Sequence, residues 1–204
     1  MLRSVKANLI NAFDANFAAV MVGLGLDQAA GYVTALSGGP DSTALALLTQ
    51  RYADVAGKHH HAVIVDHGLR DGSGNEAGRV QTRLRLFGIA SDIIQITEPR
   101  PIAGLQEWAR INRHHALFSV ARQKKAALLF AHHAGDQAET VAMRLLKSSG
   151  LNGLGGIACH RIQRDVVVAR PVLGWMPDEL RAVCHHLDCD CEIGPSKQSQ
   201  QSER

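Results

Sequence analysis

Short apolar runs alternate with longer segments of helical periodicity from residue 32 to residue 186. The apolar runs predict five strands, at Tyr32–Leu36, Ala62–Val65, Ile93–Ile96, Ala126–Ala131 and Val166–Ala169. Strands that alternate with helices pair in parallel, and continuous apolar strands are buried on both faces. The pattern therefore predicts an α/β, Rossmann-like fold with a doubly wound, mostly parallel five-stranded sheet and helices on both faces.

The segments between these runs carry apolar residues at the spacing of an amphipathic helix. They predict helices at Ser42–Tyr52, Asn75–Phe87, Gly104–Gln123, Asp136–Leu146 and Pro177–His186. An earlier apolar run, Phe17–Leu26, is loosely similar to a secretion signal, but Asp14 and several Asn interrupt its approach. We therefore expect an N-terminal helical segment at 1–27 packed on the domain, the α/β domain itself at 28–193, and a polar tail or linker at 194–204.

The composition limits the class of protein. The 204 residues are 46% hydrophobic and 20% charged, which excludes a disordered, collagenous or coiled-coil chain. A net charge of +3 permits nucleic acid as a partner without requiring it. The four cysteines show no secreted disulfide pattern, and no apolar run reaches the length of a membrane span. We therefore expect reduced thiols, a cytoplasmic location and no membrane partner.

The six residues after the first predicted strand, Ser37-Gly38-Gly39-Pro40-Asp41-Ser42, have the composition of an anion-binding loop. Two glycines let backbone amides approach a phosphate, and the helix that follows adds a partial positive charge. Asp41 repels a phosphate unless Mg²⁺ lies between them, so the loop predicts a metal-bridged nucleotide. The alternative is an ordinary glycine turn in which Asp41 and Ser42 cap the helix.

Further charged pairs lie near the carboxyl ends of the predicted strands, where doubly wound folds bind ligands. Asp136 and Glu139 are three positions apart at a helix start, so both project near the same turn. Arg110 and Arg113 share one face of a long helix and can reach phosphate oxygens. The simpler interpretations are a favourable helix-terminal charge for the acids and a solvated helix face for the arginines.

Histidines and cysteines cluster late in the chain, at Cys184-His185-His186 and Cys189-Asp190-Cys191. The cluster offers zinc ligands but lacks paired C-x-x-C spacing, so we favour a helix end with small buried thiols. The run His59-His60-His61 is interpreted as a solvated turn, because three adjacent side chains cannot all face one ion.

The loop from Ser37 to Ser42 matches the pyrophosphate-loop motif of the N-type ATP pyrophosphatases, the PP-loop superfamily. Within that superfamily, the chain resembles the catalytic domain of the tRNA(Ile)-lysidine synthetases over about residues 28–196. The further matching segments are 65–70, Ala109-Arg110 with Arg113, 131–133, 136–140, 143–146, 149–154 and 170–173.

The resemblance implies an ATP-dependent ligase that forms a carbon–nitrogen bond. ATP adenylates the wobble cytidine of an isoleucine tRNA with a CAU anticodon, and pyrophosphate leaves. The side-chain amine of free L-lysine then displaces AMP. The implied cofactors are ATP and Mg²⁺, and the implied partners are isoleucine tRNA and L-lysine. A homodimer is left open.

The resemblance also implies roles for individual residues. Arg113, Asp41, Asp136 and Glu139 would be catalytic, with Asp136 and Glu139 holding the lysine ammonium. Asp41 would also bind the metal. The tRNA would contact Arg110, Arg144 and Lys147. The implied ATP-binding residues are Ala35, Leu36, Ser37, Gly38, Gly39, Pro40, Asp41, Ser42, Val65 and His67.

Two positions depart from the family pattern. The family has two consecutive acids before Gln-Ala-Glu-Thr, whereas the first of them is Gly135 here. The family's Asp-Pro-Ser-Asn is replaced by Gly194-Pro195-Ser196-Lys197, near the point where family members continue into tRNA-gripping domains. We therefore expect the catalytic domain alone.

Two other functions are compatible with the same fold. One is a different adenylating enzyme, such as a tRNA thiolase or an amide-forming synthetase. The position of the cysteines far along the chain from the glycine loop argues against a thiolase. The other is a degenerate ATP-binding module without catalysis. The replacement of a family acid by Gly135 would be compatible with such a module. The intact loop from Ser37 to Ser42 argues against such decay.

Overall fold

The structure, a computed structural model, describes residues 2–146 and 155–191, with side chains from residue 10 onward. The strands in these ranges are β1 (Gly31–Leu36), β2 (His59–Asp66), β3 (Ser91–Gln95), β4 (Ala127–Leu129), β5 (His160–Gln163) and β6 (Val166–Ala169). The α-helices are α1 (Leu2–Gly23), α2 (Pro40–Ala56), α3 (Ser73–Leu86), α4 (Leu105–Gln123), α5 (Ala134–Leu146) and α6 (Pro177–His186). A short 3₁₀ turn at Leu26–Gln28 precedes β1.

The strands form one sheet in the order β3-β2-β1-β4-β6-β5. All neighbouring pairs are parallel except β5 and β6, which confirms the mostly parallel α/β fold. At the centre, Tyr32 of β1 is paired with His60 on one side and with Ala127 on the other. The strand order reverses between β1 and β4, and such a switch point is where doubly wound sheets bind ligands.

The predicted number of five strands was wrong by one, because β5 was missed. This strand forms a hairpin with β6 through the two residues Arg164 and Asp165, which have φ values of 51° and 61°. Positive φ at both positions is typical of the type I′ turn that joins tight hairpins. Since β5 is mostly exposed, its sequence lacks the apolar run of a buried strand.

Alternate residues of the strands point to opposite faces of the sheet, as the pleat requires. Tyr32 and Leu36 belong to a core shared with α1, α2, α3 and α6, whereas Val33 belongs to a second core beneath α4. Helices thus cover both faces, as predicted. Helix α1 contributes the buried Phe17 and Met21 to the first core. The predicted tail at 194–204 lies outside the described residues.

The histidine run was wrongly interpreted as a solvated turn, since its three residues open β2. His60 is buried, and its ring bonds to the Thr34 hydroxyl at 2.9 Å and to Gln50 Oε1 at 3.0 Å. Burial lowers the pKa of His60 to about 3, so the ring is neutral. His61 lies 2.8 Å from Asp92 on the neighbouring strand. The run therefore serves sheet pairing.

Candidate functional site

The glycine loop between β1 and α2 is fixed by the hydroxyl groups of Ser37 and Ser42. The Ser37 amide donates to Ser42 Oγ at 3.1 Å, and the two hydroxyl oxygens lie 3.0 Å apart. Ser42 Oγ also donates to the Gly39 carbonyl at 3.0 Å. Ser42 is therefore bonded within the loop, and the cap position of α2 belongs to Gly39.

Helix α2 begins immediately after the loop, at Pro40. Proline suits the first helical position because its φ is already helical. Gly39 has no side chain that could cover the amides of the first turn. These amides and the positive end of the helix dipole lie at the carboxyl end of β1, which is the arrangement of an anion-binding site.

Gly38 is a position where the backbone requires glycine. Its φ of 86° is one that side-chain-bearing residues rarely adopt. A Cβ placed there would lie 2.9 Å from Cγ2 of Val80, a buried residue of α3. The loop is thus pressed against α3, and its path depends on the absence of a side chain.

Two clefts lie beside this loop and share Leu36, Ser37, Val65 and Arg113 in their walls. The first has a volume of about 310 Å³ and is further lined by Ala35, Asp41, Ser42, Val63, Arg110, His114, Leu117, Phe130, Ala131 and His132. The second, of about 300 Å³, is further lined by Ile64, Asp66, His67, Leu69, Arg70, Ser73, Glu76, Ala77 and Val80. The structure thus gathers most of the residues with an implied ATP role around one edge of the sheet.

His133 joins the start of α5 to the glycine loop. Its Nδ1 accepts a hydrogen bond from the Gly135 amide at 3.0 Å, and its own amide donates to Asp136 Oδ2 at 2.9 Å. These reciprocal bonds have the pattern of a capping box, with an imidazole in place of the usual hydroxyl. The other ring nitrogen, Nε2, lies 3.7 Å from Asp41 Oδ2. The ring therefore lies between two carboxylates from separate motifs.

The same ring gives a steric reason for Gly135. A Cβ at this position would lie 2.8 Å from His133 Cε1 and 3.0 Å from His133 Nδ1. A larger residue would displace the ring from its capping position. The position of this ring in the present structure therefore depends on the absence of a side chain at residue 135.

Rings form one wall of the first cleft. The Phe130 centroid lies 5.8 Å from that of His114 and 5.9 Å from that of His132. The buried Arg170 donates to His132 Nδ1 at 3.2 Å and to the Ala158 carbonyl at 2.8 Å. Burial, followed by the charge of Arg170, lowers the pKa of His132, and burial also lowers that of His114. This wall is therefore uncharged at its imidazole rings near neutral pH.

His67 lines the second cleft. Both of its ring nitrogens are buried and have no hydrogen-bond partner among the described residues. Its ring centroid lies 6.3 Å from that of Trp108. Burial, followed by the charge of Arg113, lowers the pKa of His67. A neutral imidazole with an unused donor and acceptor suits a polar ligand, and its contact with ATP stays a prediction.

The arginines predicted on α4 differ in their surroundings. Arg113 lies between the two clefts and lines both. Arg110 lines the first cleft, and its guanidinium makes bonds of 2.7 and 2.6 Å to the Glu107 carboxylate in an exposed pair.

The residues with implied lysine and tRNA roles on α5 are spread along the helix. Asp136 lies at its start beside His133, while Glu139 is exposed one turn later. Arg144 is half-buried and donates to the Gly156 carbonyl at 2.9 Å. Lys147 lies outside the described residues.

The late cysteines lie at and just after the end of α6 and pack into the first core, as the interpretation of small buried thiols predicts. Among the described residues, no three His, Cys, Asp or Glu side chains are arranged to hold a metal ion. Cys184 Sγ lies 3.5 Å from the Pro40 carbonyl, although 144 positions separate them. Cys184 is therefore distant from the glycine loop along the chain but close to it in the fold. None of the four cysteines lines either cleft.

Four residues of the site had no role predicted from the sequence: His114, His132, His133 and Arg170. His132 and His133 lie in a motif that matched the family, and Arg170 begins another. Their place in these matching segments was the one signal that could have pointed to them. Residue type gave no such signal, because imidazole is an unusual helix cap and buried arginines are rare.

None of the helices in the described ranges is long and apolar enough to cross a lipid bilayer.

Comparison with known proteins gives relatives for nearly the whole chain. The family described as the PP-loop domain matches residues 9–204. A tRNA(Ile)-lysidine synthase of Novosphingobium aromaticivorans is 39% identical over 186 residues, which are 88% of this chain and 55% of that protein. A tRNA(Ile)-lysidine synthase of Methylobacterium nodulans is 42% identical over 162 residues, or 79% of this chain and 47% of that protein.

Among solved structures, the U34-tRNA thiolase NcsA from Methanococcus maripaludis superposes with a TM-score of 0.75 and 19% identity. The match covers 93% of this chain and 67% of the thiolase, and at this identity it shows the fold alone. The chain spans about half the length of the curated relatives it matches. It belongs to the PP-loop domain family, within which these relatives are tRNA(Ile)-lysidine synthases.

Proposed function

We propose that this chain is the catalytic domain of a tRNA(Ile)-lysidine synthase. It would adenylate the wobble cytidine of isoleucine tRNA with ATP, and then join that cytidine to free L-lysine with loss of AMP. The observation that carries the proposal is the position of Asp41, which lies 3.7 Å from the ring of His133, the residue that caps α5, beside the glycine loop. This places an acid of the nucleotide loop next to an acid suited to an amine.

The nucleotide would bind at the glycine loop. The amides at the start of α2 would receive its phosphates, and the backbone of Ala35, Leu36 and Val65 would face its base. Asp41, Ser37 and Ser42 bring carboxylate and hydroxyl oxygens to the first cleft, which is the donor type that Mg²⁺ prefers. When bound, Mg²⁺ would neutralise phosphate charge and make pyrophosphate a better leaving group.

The chain's own charges would serve the two chemical steps. Arg113 lies between the clefts, where its charge can stabilise negative charge that develops on a transferred phosphate. Asp136 uses Oδ2 in the cap of α5, and the carboxylate has further lone pairs for an ammonium group. Together with Glu139 it would hold the lysine, whose amine must lose a proton before it attacks.

The tRNA would lie against the cationic side chains near the first cleft. Arg110 is exposed at that cleft, and Arg144 would extend the contact along α5. Lys147 is a further candidate from the sequence alone. An anticodon loop presents its wobble base unstacked at little cost. Because the contacts of these cationic side chains are made to phosphates, we expect tRNA binding by this domain to weaken as the salt concentration rises. A cytoplasmic location belongs to the same proposal, and sedimentation decides whether the domain forms a homodimer.

The deciding experiment measures AMP and pyrophosphate release from ATP and Mg²⁺. The reactions contain lysine and an isoleucine tRNA transcript with the CAU anticodon, and controls omit each component in turn. A transcript with uridine at the wobble position tests the base. AMP release that requires lysine and the wobble cytidine would establish the ligase. Release without lysine or cytidine would indicate another adenylating enzyme, and ATP binding with no AMP under any condition would indicate a binding module.

A matched pair of variants on α2 tests the site. Asp41→Asn removes the carboxylate at the loop and should abolish AMP release. Asp54→Asn makes the same change at the other end of the helix, where the side chain bonds to Gln50, and should leave the rate unchanged. Equal rates for the two variants would contradict the role of Asp41.

A further inference from the structure

One wall of the first cleft is built where two neighbouring strands end. Strands β4 and β6 are paired so that Leu129 lies beside Ala169, and the Phe130 amide donates to the Ala169 carbonyl at 3.0 Å. His132 follows the end of β4 by three positions, and Arg170 follows the end of β6 directly. The pairing of the strands therefore brings an imidazole and a guanidinium together at the edge of the sheet that carries the glycine loop.

Arg170 is a buried cation without an acidic partner in the described part of the chain. The residue is 8% exposed. Its guanidinium donates to the Ala158 carbonyl at 2.8 Å and to His132 Nδ1 at 3.2 Å, and its central carbon lies 5.9 Å from the centroid of the Phe130 ring. All three partners are uncharged, and a buried charge without a counter-ion is costly. The positive charge is therefore available to an anion that binds nearby.

The contact with Arg170 fixes which nitrogen of His132 carries a proton. A guanidinium donates hydrogen bonds, accepts none and keeps its protons in proteins. Because Arg170 Nε donates to His132 Nδ1, that nitrogen is the acceptor, and the single proton of the neutral ring lies on Nε2. Protonation of both ring nitrogens would set two donors against each other at 3.2 Å. His132 is therefore held as a hydrogen-bond donor at Nε2.

The Nε2 donor of His132 has no acceptor within the described part of the chain. It makes no hydrogen bond there and, unlike both ring nitrogens of His67, it is not cut off from solvent. His132 lines the first cleft, and so do Ser37, Asp41 and Ser42 of the glycine loop. The cleft has a volume of about 310 Å³, which is within the range of ligand sites. The donor is therefore open to a ligand that lies between the ring and the loop.

The charges around His132 favour an anionic ligand. Arg110 and Arg113 line the same cleft, and Arg170 lies behind the ring. The charged and titratable groups that act on the ring are Arg170 after β6, Asp136 and His133 beside the start of α5, and His114 on α4. Burial, followed by the charge of Arg170, lowers the pKa of His132 and keeps the ring neutral. A hydrogen bond to a charged acceptor is about twice as strong as one between neutral groups, so this donor favours a phosphate oxygen.

We propose that Arg170 is a positioning residue that holds His132 as a neutral Nε2–H donor, and that this donor binds a phosphate oxygen of the nucleotide in the first cleft. This assignment rests on the proposed function, because it takes ATP as the occupant of that cleft. Arg113 would supply charge to the phosphates, whereas His132 would supply one directed hydrogen bond. The same arrangement excludes His132 as a general base, since Nδ1 is occupied and Nε2 already carries its proton.

Nitrogen NMR of the full chain with isotope-labelled histidine tests the tautomer. The ring signals of His132 are those missing from His132→Gln, and at neutral pH they should show an unprotonated Nδ1 and a protonated Nε2. A protonated Nδ1 would overturn the proposal. Addition of ATP and Mg²⁺ should shift the Nε2 signal, whereas adenosine, which has no phosphate, should leave it in place. A signal that stays unchanged while ATP is bound, or that moves equally with adenosine, would remove the phosphate contact.

Variants of His132 measure the strength of the bond. ATP titration of His132→Leu should show at least about tenfold weaker binding, as expected for the loss of a hydrogen bond to a charged group, with an unchanged affinity for adenosine. His132→Gln should recover most of the ATP affinity, because its amide offers a donor near the place of Nε2. The control His115→Leu changes an exposed histidine of α4 that lines neither cleft, and should bind ATP as the parent does. Equal ATP affinities of His132→Leu and the parent would refute the contact.

Arg170→Met tests the positioning role. It removes the guanidinium, keeps an unbranched apolar side chain in its place and leaves no carboxylate without a partner, so the chain should fold. The His132 ring should then populate both neutral tautomers, and ATP affinity should fall toward that of His132→Leu. In the His132→Leu background the same change should cost little more, because both residues act on one hydrogen bond. A ring that keeps its proton on Nε2 without Arg170, or an equal loss of ATP affinity in both backgrounds, would overturn this role.

The tautomer measured without nucleotide keeps this inference separate from the proposed function. A chain that binds ATP but releases no AMP with lysine and tRNA would fail the proposed function. The contact of His132 with phosphate would then still be decided by the spectra with ATP and with adenosine. A chain with the expected AMP release and a protonated Nδ1 on His132 would fail this inference alone.

Discussion

Gly38→Ala tests whether the glycine loop depends on backbone geometry and on contact with α3. The native φ of 86° costs an alanine about 1–2 kcal/mol. The new Cβ would also lie 2.9 Å from Val80 Cγ2. Valine in a helix has one strongly preferred rotamer, so relief requires a backbone shift, and such overpacking costs about 1–3 kcal/mol. Adding the two costs, the variant should lose about 2–5 kcal/mol of unfolding free energy.

The assay is urea unfolding followed by circular dichroism, together with thermal unfolding. For a chain of this size the loss corresponds to a fall in Tm of about 4–20 °C. The control is Gly78→Ala on α3, where nothing lies within 4 Å of the new Cβ. That change should stabilise the protein by up to about 1 kcal/mol, because alanine is the better helix former.

A double-mutant cycle separates the two costs. Val80→Ala removes the methyl group that the new Cβ would meet, so Gly38→Ala should cost less in that background. The remaining cost should be the backbone strain of about 1–2 kcal/mol. An unfolding free energy of Gly38→Ala equal to that of the parent would refute the reasoning, and strict additivity in the cycle would refute the contact with Val80.

Four further predictions follow from the described contacts. His133→Ala should remove the α5 cap, lower the unfolding free energy measured in urea by about 1 kcal/mol, and reduce AMP release. His133→Asn should recover the unfolding free energy, because asparagine caps helices, but should not recover AMP release. His60 alone should lower the unfolding free energy by about 2 kcal/mol between about pH 7.5 and pH 5, because the unfolded residue binds a proton near pH 6.5 while the folded ring stays neutral down to about 3. His60→Gln should remove this contribution and so reduce the pH dependence measured by urea unfolding. Arg110→Ala should leave the melting temperature unchanged and reduce the salt dependence of tRNA binding by about one ion, measured by filter binding across salt concentrations. Glu139→Gln should raise KM for lysine with an unchanged Tm, and an unchanged KM would remove Glu139 from the lysine site.

The elements that could be predicted from the sequence are those with strong local signals. Helix α6 begins and ends where predicted, because Pro177 occupies its first position and its apolar residues repeat at helical spacing. Strand β5 could not be predicted, since Arg164 and Asp165 adopt positive φ without the Asn-Gly signal of such turns. There the tertiary pairing with β6 overrides local preference.

The candidate site also has parts that could be predicted from the sequence and parts that could not. The glycine loop could be predicted because its chemistry is local to six adjacent residues. The closeness of Asp41 and Asp136 to one another could not, because the ring of a third residue, His133, lies between them. His133 is not a typical cap, and only the position of its ring beside Gly135 shows that it acts as one. The approach of Cys184 to Pro40 likewise depends on the packing of α6 against α2.

The central place of β1 has a consequence for synthesis of the chain. One edge of β1 is covered by β2 soon after both are made, but Tyr32 meets its other partner, Ala127, only 95 positions later. At about 5–20 residues per second, that second edge stays open on the ribosome for roughly 5–20 s. An open edge of an apolar strand is a template for pairing with other chains. The interval between the emergence of β1 and of β4 is therefore when this chain most needs chaperone protection, and pauses within α4 should increase its aggregation.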